Sequence, residues 1–186
     1  MSTIHRLPWL FAILAMALPV TVSADQTDER LADLFQTLKT SQDVQELNET
    51  EMRIWSIWHE SGQSDIDDMM AEAAELTGVG DLLAAEAIYT RIVEQAPTFS
   101  EGWNRRATVR FYMGDYDGSL ADIEQTLKLE PRHFGAMWGL GMILGLQQDY
   151  ERAILAFEKL LEIKPNSMDA RPRIESLKQA LAAEAV

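Results

Sequence analysis

The sequence predicts an all-α fold in which three pairs of antiparallel helices stack into a solenoid, preceded by a helical cap and followed by one capping helix. Pro97, Pro131 and Pro165 recur at intervals of 34 residues. Because proline does not continue a helix interior, each one is expected to close a unit. The 186 residues include only six prolines and ten glycines, a composition that favours long helices over many tight turns.

Three segments align without a gap in this register: 66–99, 100–133 and 134–167. A turn in each unit contains an aspartate, at Asp81, Asp115 and Asp149, whose side chain can cap the second helix. A small residue on each helix of a unit allows the two helices to pack closely. Four positions after the small residue of the second helix, a large apolar residue fills the space beside them. These residues are Ala73, Ala107 and Gly141 on the first helices, Ala85, Ser119 and Ala153 on the second, and Tyr89, Ile123 and Phe157 four positions on.

The pattern resembles the tetratricopeptide repeat superfamily. The middle unit matches at Trp103, Ala107, Gly114, Asp115, Tyr116, Ser119, Ile123 and Pro131, and the third at Leu140, Gly141, Tyr150, Ala153, Phe157 and Pro165. The first unit departs from the pattern, with Met69 in the tryptophan place and Leu82 in the tyrosine place. The resemblance covers 102 of the 186 residues and implies a right-handed α-solenoid. The whole arrangement is also similar to small exported repeat proteins of proteobacteria, a group that implies no particular biochemical activity.

Residues 1–24 have the pattern of a secretory signal peptide. Arg6 precedes an apolar run from residue 9 to residue 20, and Val22-Ser23-Ala24 supplies the small residues of a cleavage site, so we expect cleavage after Ala24. The alternative is an uncleaved membrane anchor, but the run is shorter than the roughly 20 residues of a membrane span, and Pro19 interrupts it. The chain has no cysteine to carry a lipid. We therefore expect a periplasmic protein with no stable membrane anchor after cleavage.

The two flanks of the repeats are predicted to be helical. Residues 25–65 contain two amphipathic helices, and we expect this pair to be a degenerate repeat that caps the N-terminal end of the solenoid. The alternative is that the pair folds back and fills the concave groove with Phe35, Trp55 and Trp58. Residues 168–186 are expected to form the C-terminal capping helix, packing on the third unit through Met168 and a few other apolar residues.

The resemblance implies a concave face that is lined mainly by the first helix of each unit. The predicted partner-binding residues are Met70, Asn104, Thr108, Phe111, Tyr112, Trp138 and Met142. Aromatic and methionine side chains offer adaptable contact area to a peptide or a helix. Some members of the superfamily grip a C-terminal carboxylate with basic residues and asparagine on this face. The matching places here hold Met70, Ala74, Gly135 and Gly139, and only Arg105 is basic, so the chain is not expected to bind such a tail.

Glu72 and Arg106 break the pattern, because they occupy equivalent places on successive first helices where the superfamily prefers an apolar residue. We expect them to pair across the interface between units, since a lone buried charge would be destabilising by several kcal/mol. The alternative is that both side chains extend to solvent.

Composition excludes several classes of function. The formal net charge of −14 opposes binding to nucleic acid. Beyond the predicted signal, the only histidines are His59 and His133, and they lack the spacing of metal ligands. No motif for a phosphate cradle or an activated serine is present. We predict no catalytic, metal or cofactor site, and an adaptor or scaffold of the bacterial cell envelope that binds a protein partner. The alternatives are a self-associating structural subunit and a cell-wall-related enzyme with a diffuse acidic site.

Overall fold

The structure, a computed structural model, describes residues 26–184, which form nine α-helices and no strand. The helices are α1 Arg30–Thr40, α2 Val44–His59, α3 Ser64–Gly78, α4 Leu82–Gln95, α5 Ser100–Met113, α6 Tyr116–Leu129, α7 Phe134–Leu146, α8 Tyr150–Ile163 and α9 Ala170–Glu184. The pairs α3–α4, α5–α6 and α7–α8 are the three repeat units. The all-α solenoid is therefore confirmed. The predicted signal segment, residues 1–24, lies outside the described residues.

Each unit turns between its two helices through one residue in the left-handed region. Gly80 and Gly114 have φ of 83° and 80°, conformations that glycine adopts without steric penalty. The third unit uses Gln148, with φ of 63°. The aspartate that follows each of them accepts a hydrogen bond from a backbone N–H in the first turn of the second helix, so these predicted helix caps are confirmed.

The predicted small residues allow the helices of a unit to pack closely. Ala73 and Ala85 are fully buried in the first unit. In the third unit, a Cβ added to Gly141 would lie only 2.6 Å from the ring of Phe157, which is itself fully buried. The α7–α8 pair therefore requires glycine at this place, where the first two units have alanine.

Helices α1 and α2 form a hairpin, here called the N-terminal hairpin, that follows one edge of the solenoid. The segment from Gln26 through α1 contacts the loop after each unit in turn. The Gln26 side chain hydrogen-bonds to Thr98 and Ser100, the Phe35 ring lies 4.3 Å under the Arg132 guanidinium, and the Ser41 carbonyl accepts from the Asn166 amide at 3.0 Å.

The chain then returns through α2 and the short segment after it, which together contact the first helices of all three units at equivalent places. Ser61 donates to the Asp67 carboxylate at 2.6 Å, the His59 ring lies 3.4 Å from the Glu101 carboxylate, and the Trp55 indole covers Gly135. Asp67, Glu101 and Gly135 are separated by 34 residues each.

This position corrects the expectation that the N-terminal hairpin caps the end of the solenoid. Trp58 is fully buried in a hydrophobic cluster that the hairpin shares with α7, α8 and α9. The end of the solenoid at α3 offers no comparable surface, because Asp68, Glu72 and Glu75 are exposed there at helical spacing. Burial of the apolar face of the hairpin therefore favours the edge near the third unit over the charged end.

Helix α9 covers the other end of the solenoid. Ala170, Ile174 and Leu177 are buried against the third unit, as expected for a capping helix. Met168 was expected to join them, but it precedes the first turn of α9 and is 87% exposed.

The predicted pair of Glu72 with Arg106 was wrong. Glu72 is exposed, whereas the Arg106 guanidinium donates two hydrogen bonds to the Asp122 carboxylate, at 2.9 and 2.8 Å. Asp122 also accepts from Arg110 at 2.9 Å. Arg106 is only 8% exposed and Asp122 only 2%, so this is a buried ion pair between α5 and α6, the two helices of the middle unit.

Candidate functional site

An apolar cavity of about 190 Å³ opens between the first helices of the second and third units, and it is here called the α5–α7 cavity. Six of the seven predicted partner-binding residues line it: Asn104, Thr108, Phe111, Tyr112, Trp138 and Met142. Its inner wall consists of small and aliphatic side chains, and none of the lining residues is charged. The structure thus brings these six residues together, and their role in binding stays a prediction.

Met70 does not share this position. It is 7% exposed and packs with Ile66, Ala73 and Tyr89 in the core of the first unit. The equivalent residues of the second and third units, Asn104 and Trp138, line the cavity, whereas Met70 packs into the core of the first unit. The six predicted residues that line the cavity all belong to the second and third units, and Met70 is not among them.

Two polar side chains at the cavity wall, Asn104 and Thr108, can act as hydrogen-bond acceptors. The Asn104 amide nitrogen donates to the Glu101 carboxylate at 2.9 Å, and the Thr108 hydroxyl donates to the Asn104 carbonyl at 2.9 Å. The amide oxygen of Asn104 and the Thr108 hydroxyl oxygen retain lone pairs that can accept further bonds. The wall is thus suited to N–H donors of a ligand.

A buried hydrogen-bond cluster supports this wall from behind. The Glu101 carboxylate is fully buried and also accepts from His133 Nε2 at 3.0 Å and Arg105 Nε at 2.5 Å. His133 Nδ1 accepts from the backbone N–H of Ala136 at 3.1 Å, so His133 caps α7. Because Nδ1 is an acceptor, the ring proton lies on Nε2. Glu101 thereby fixes the start of α7 relative to α5, the two helices that form the cavity.

The cluster has a marked effect on the acidity of Glu101. Burial alone would raise the pKa of its carboxyl, but the hydrogen bond from His133 and the charge of Arg105 outweigh burial and lower the pKa to about 2. From the sequence we predicted no metal-binding role for His133 and did not identify Glu101. The sequence does contain a signal for Glu101. The second residue of α5 is this acid, whereas the equivalent residue of α7 is Gly135.

The N-terminal hairpin closes one end of the groove without filling the cavity. A Cβ on Gly135 would lie 2.7 Å from the Trp55 ring, so α2 passes directly over the first turn of α7. No residue of α1 or α2 lines the α5–α7 cavity. The hairpin was expected either to cap the end of the solenoid or to fill the groove. In the structure it does neither completely, because Trp55 covers one end of the groove and the cavity stays open.

Within residues 26–184, no three His, Cys, Asp or Glu side chains are grouped as a metal site would require. No helix of that range has both the length and the apolar character to cross a membrane.

A family model, a sequence relative and solved structures all match this chain to tetratricopeptide repeat proteins. The tetratricopeptide repeat family model matches residues 104–167. A TPR repeat-containing protein of Rhizobium etli is 34% identical over 154 residues, which are 83% of this chain and 76% of the relative. Two solved structures share the fold at low identity. The Sgt2 TPR domain of Aspergillus fumigatus has a TM-score of 0.62 at 22% identity, covering 66% of this chain and 83% of that domain. The first TPR domain of Spaghetti (RPAP3), bound to the HSP90 peptide SRMEEVD, has a TM-score of 0.61 at 21% identity, covering 63% of this chain and 93% of that one.

Proposed function

Because this chain belongs to the tetratricopeptide repeat family, whose members generally mediate protein–protein interaction, we propose that it is an adaptor that binds a peptide or helix of a partner protein in the α5–α7 cavity. The observation that supports this most is the cavity itself, where Phe111, Trp138 and Met142 converge without a charged residue. Apolar and aromatic pockets of this kind hold the few side chains that dominate binding at protein interfaces.

The size of the cavity indicates what the partner presents. An apolar cavity of about 150 Å³ holds a benzene molecule, so a cavity of about 190 Å³ has room for one large aliphatic or aromatic side chain. Tyr112 is 62% exposed at its mouth and offers a ring face to the residues next to this anchor. The ligand is therefore a segment with one large apolar anchor, whose backbone N–H groups reach Asn104 and Thr108.

An acidic tail is not the expected ligand. The HSP90 peptide SRMEEVD in the RPAP3 structure ends in acidic and apolar residues, and hydrogen bonds to carboxylates are strongest when the donor is a cation. The α5–α7 cavity has no lysine or arginine in its lining, and the neighbouring Arg105 is already paired with Glu101. The formal net charge of −14 adds a general repulsion toward acidic segments.

We place this adaptor in the bacterial cell envelope, on the strength of the signal-like segment 1–24, with cleavage after Ala24 and release into the periplasm. It has no catalytic role in this proposal. Self-association through the same cavity is the second candidate. It is favoured by the exposed apolar residues Tyr112, Met113 and Leu146 in the last turns of α5 and α7, which a second copy would cover.

The test is capture from a cell-envelope extract of the source organism, with immobilised wild-type protein and a Tyr112→Ala/Met142→Ala variant. We expect at least one envelope protein to be enriched by the wild type and its capture to fall at least tenfold with the variant, because a central anchor pocket typically accounts for 2 kcal/mol or more of binding, roughly thirtyfold in affinity. A matched control, Leu83→Ala/Leu155→Ala, removes two apolar side chains that are 72% and 56% exposed elsewhere and should capture as the wild type does. Equal capture by all three proteins would refute the cavity as the site. Light scattering of the free protein decides the second candidate, which requires a mass above that of one chain.

A further inference from the structure

A second cavity, of about 260 Å³, lies next to the first. The two cavities lie on either side of α7, and Gly135 and Trp138 of this helix line both of them. The other walls come from the N-terminal hairpin through Glu51 and Trp55, and from the end of the third unit through Lys164 and Asp169. A ligand that fills the α5–α7 cavity therefore has its neighbouring residues within reach of this second cavity.

The second cavity already stabilises one cation of the chain itself. The Lys164 ammonium lies 2.5 Å from the Glu51 carboxylate and 5.5 Å from the centre of the Phe134 ring. A carboxylate combined with an aromatic face is the arrangement that attracts ammonium and guanidinium groups. The Trp55 ring packs edge-on against Phe134, with centroids 5.2 Å apart. Aromatic faces and a carboxylate are thus both present at this wall.

The opposite side of the cavity has an unused negative charge. Asp169 is exposed, and its carboxylate makes no ion pair or side-chain hydrogen bond with any residue from 26 to 184. With Glu51 paired to Lys164, the cavity carries one net negative charge, in a chain whose total charge is −14. Trp55 and Trp138 are both only partly buried and leave ring surface beside it. The charge and the rings together are complementary to a cation and repel an anion.

We infer that the second cavity binds a lysine or arginine side chain of the same partner segment whose apolar anchor fills the α5–α7 cavity. This inference rests on the proposed function and names the partner more closely: a segment in which a large apolar residue stands within a few positions of a basic one. The basic side chain lies against the Trp55 and Trp138 rings and pairs with Asp169, while Lys164 keeps its bond to Glu51.

The test begins with a phage-displayed library of random 12-residue peptides, selected on the purified protein. We expect enriched peptides to combine a large apolar residue with lysine or arginine a few positions away. The best of them and its version with alanine in place of the basic residue are then synthesised, and both are titrated by calorimetry. The basic residue should strengthen binding about three- to thirtyfold, the sum expected of an exposed cation–π contact and an exposed ion pair.

Two charge-reversed proteins locate the effect. Asp169→Lys should remove the advantage of the basic peptide while the alanine peptide binds within twofold of its wild-type affinity. Glu124→Lys makes the same change of charge at an exposed acid of α6 that lines neither cavity, and it should keep the advantage. An equal advantage on all three proteins, or enriched peptides without basic residues, would overturn the inference and leave the apolar site standing. Peptides that bind the Tyr112→Ala/Met142→Ala variant undiminished, or no enriched peptide at all, would overturn the proposed function and this inference with it.

Discussion

Replacement of Asp122 by alanine is expected to lower the free energy of unfolding by about 3–5 kcal/mol, the range found when one partner of a buried ion pair is removed. Arg106, which is 8% exposed, would lose both hydrogen bonds to the carboxylate. It would keep its hydrogen bond to Thr90 at 3.2 Å and its position 5.0 Å from the centre of the Trp103 ring, neither of which neutralises its charge. Arg110 would lose one partner but retain Glu86 at 2.9 Å. Urea denaturation of the variant and the wild type, followed by circular dichroism, measures the difference.

The double variant Arg106→Leu/Asp122→Ala separates pairing from simple loss of packing. It introduces the residues that stand at the equivalent places of the third unit, Leu140 and Ala156. Because no charge is then left buried without a partner, we expect its loss of stability to be smaller than the sum of the two single losses by about 2 kcal/mol or more. Glu72→Leu, at the exposed residue first expected to pair with Arg106, should change stability by less than about 0.5 kcal/mol. If the losses of stability caused by Arg106→Leu and Asp122→Ala simply add in the double variant, Arg106 and Asp122 do not form an ion pair.

The second large effect is a loss of stability in acid that depends on Glu101. Its pKa in the folded protein is about 2, below the ordinary value of 4.5, so the carboxylate stabilises the fold above pH 4.5, and this contribution is lost as the pH falls from there through 2. A difference of this size corresponds to about 3 kcal/mol. The measurement is urea denaturation at several pH values between 7 and 2, for the wild type and for Glu101→Gln.

The variant isolates Glu101 from the other acids, which titrate in both proteins. We expect Glu101→Gln to be less stable at pH 7 and the gap between the two proteins to narrow by about 3 kcal/mol as the pH falls to 2. Glu124→Gln, at an exposed acid, should follow the wild type across the range. Parallel curves for Glu101→Gln and the wild type would mean that the carboxylate is not held by the cluster with His133.

The repeat units could be predicted because their information is local and recurs. A proline, a turn aspartate and a small residue recur in every unit, so one sequence contains three independent examples of each feature. The correct partner of Arg106 was also within reach. Asp122 stands at the place of Ile88 and Ala156, so two charged residues occupy apolar places on the paired helices of one unit.

The position of the N-terminal hairpin could not be predicted from the sequence in the same way. Its amphipathic pattern shows that Trp55 and Trp58 have a buried side, but not which surface covers it. The covering residues, such as His133 and Phe134, lie more than 70 residues further along the chain. Only the folded solenoid brings the three unit ends into one line that a hairpin can follow. The second cavity depends on this placement, because two of its walls belong to α2 and to the end of the third unit.

The placement also relates stability to function. Glu101 links α5 to α7 through His133, and the fully buried Trp58 ring stacks on the His133 ring with centroids 4.2 Å apart. The hairpin thus holds the two cavity-forming helices at a fixed separation. A preformed cavity loses less conformational entropy when a ligand binds, which favours binding of a short segment through a single anchor.

The most direct measurement of the central claim, that a partner binds in the α5–α7 cavity, is photo-crosslinking in living cells. Benzoylphenylalanine is introduced in place of Met142, which lines the cavity, and separately in place of Leu155, which is 56% exposed on α8 and lines neither cavity. We predict that illumination joins the Met142-substituted chain to another protein and that the Leu155-substituted chain gives no such product. A product of twice the mass of the chain would identify the partner as a second copy. The same products from both positions, or none from position 142, would contradict the claim.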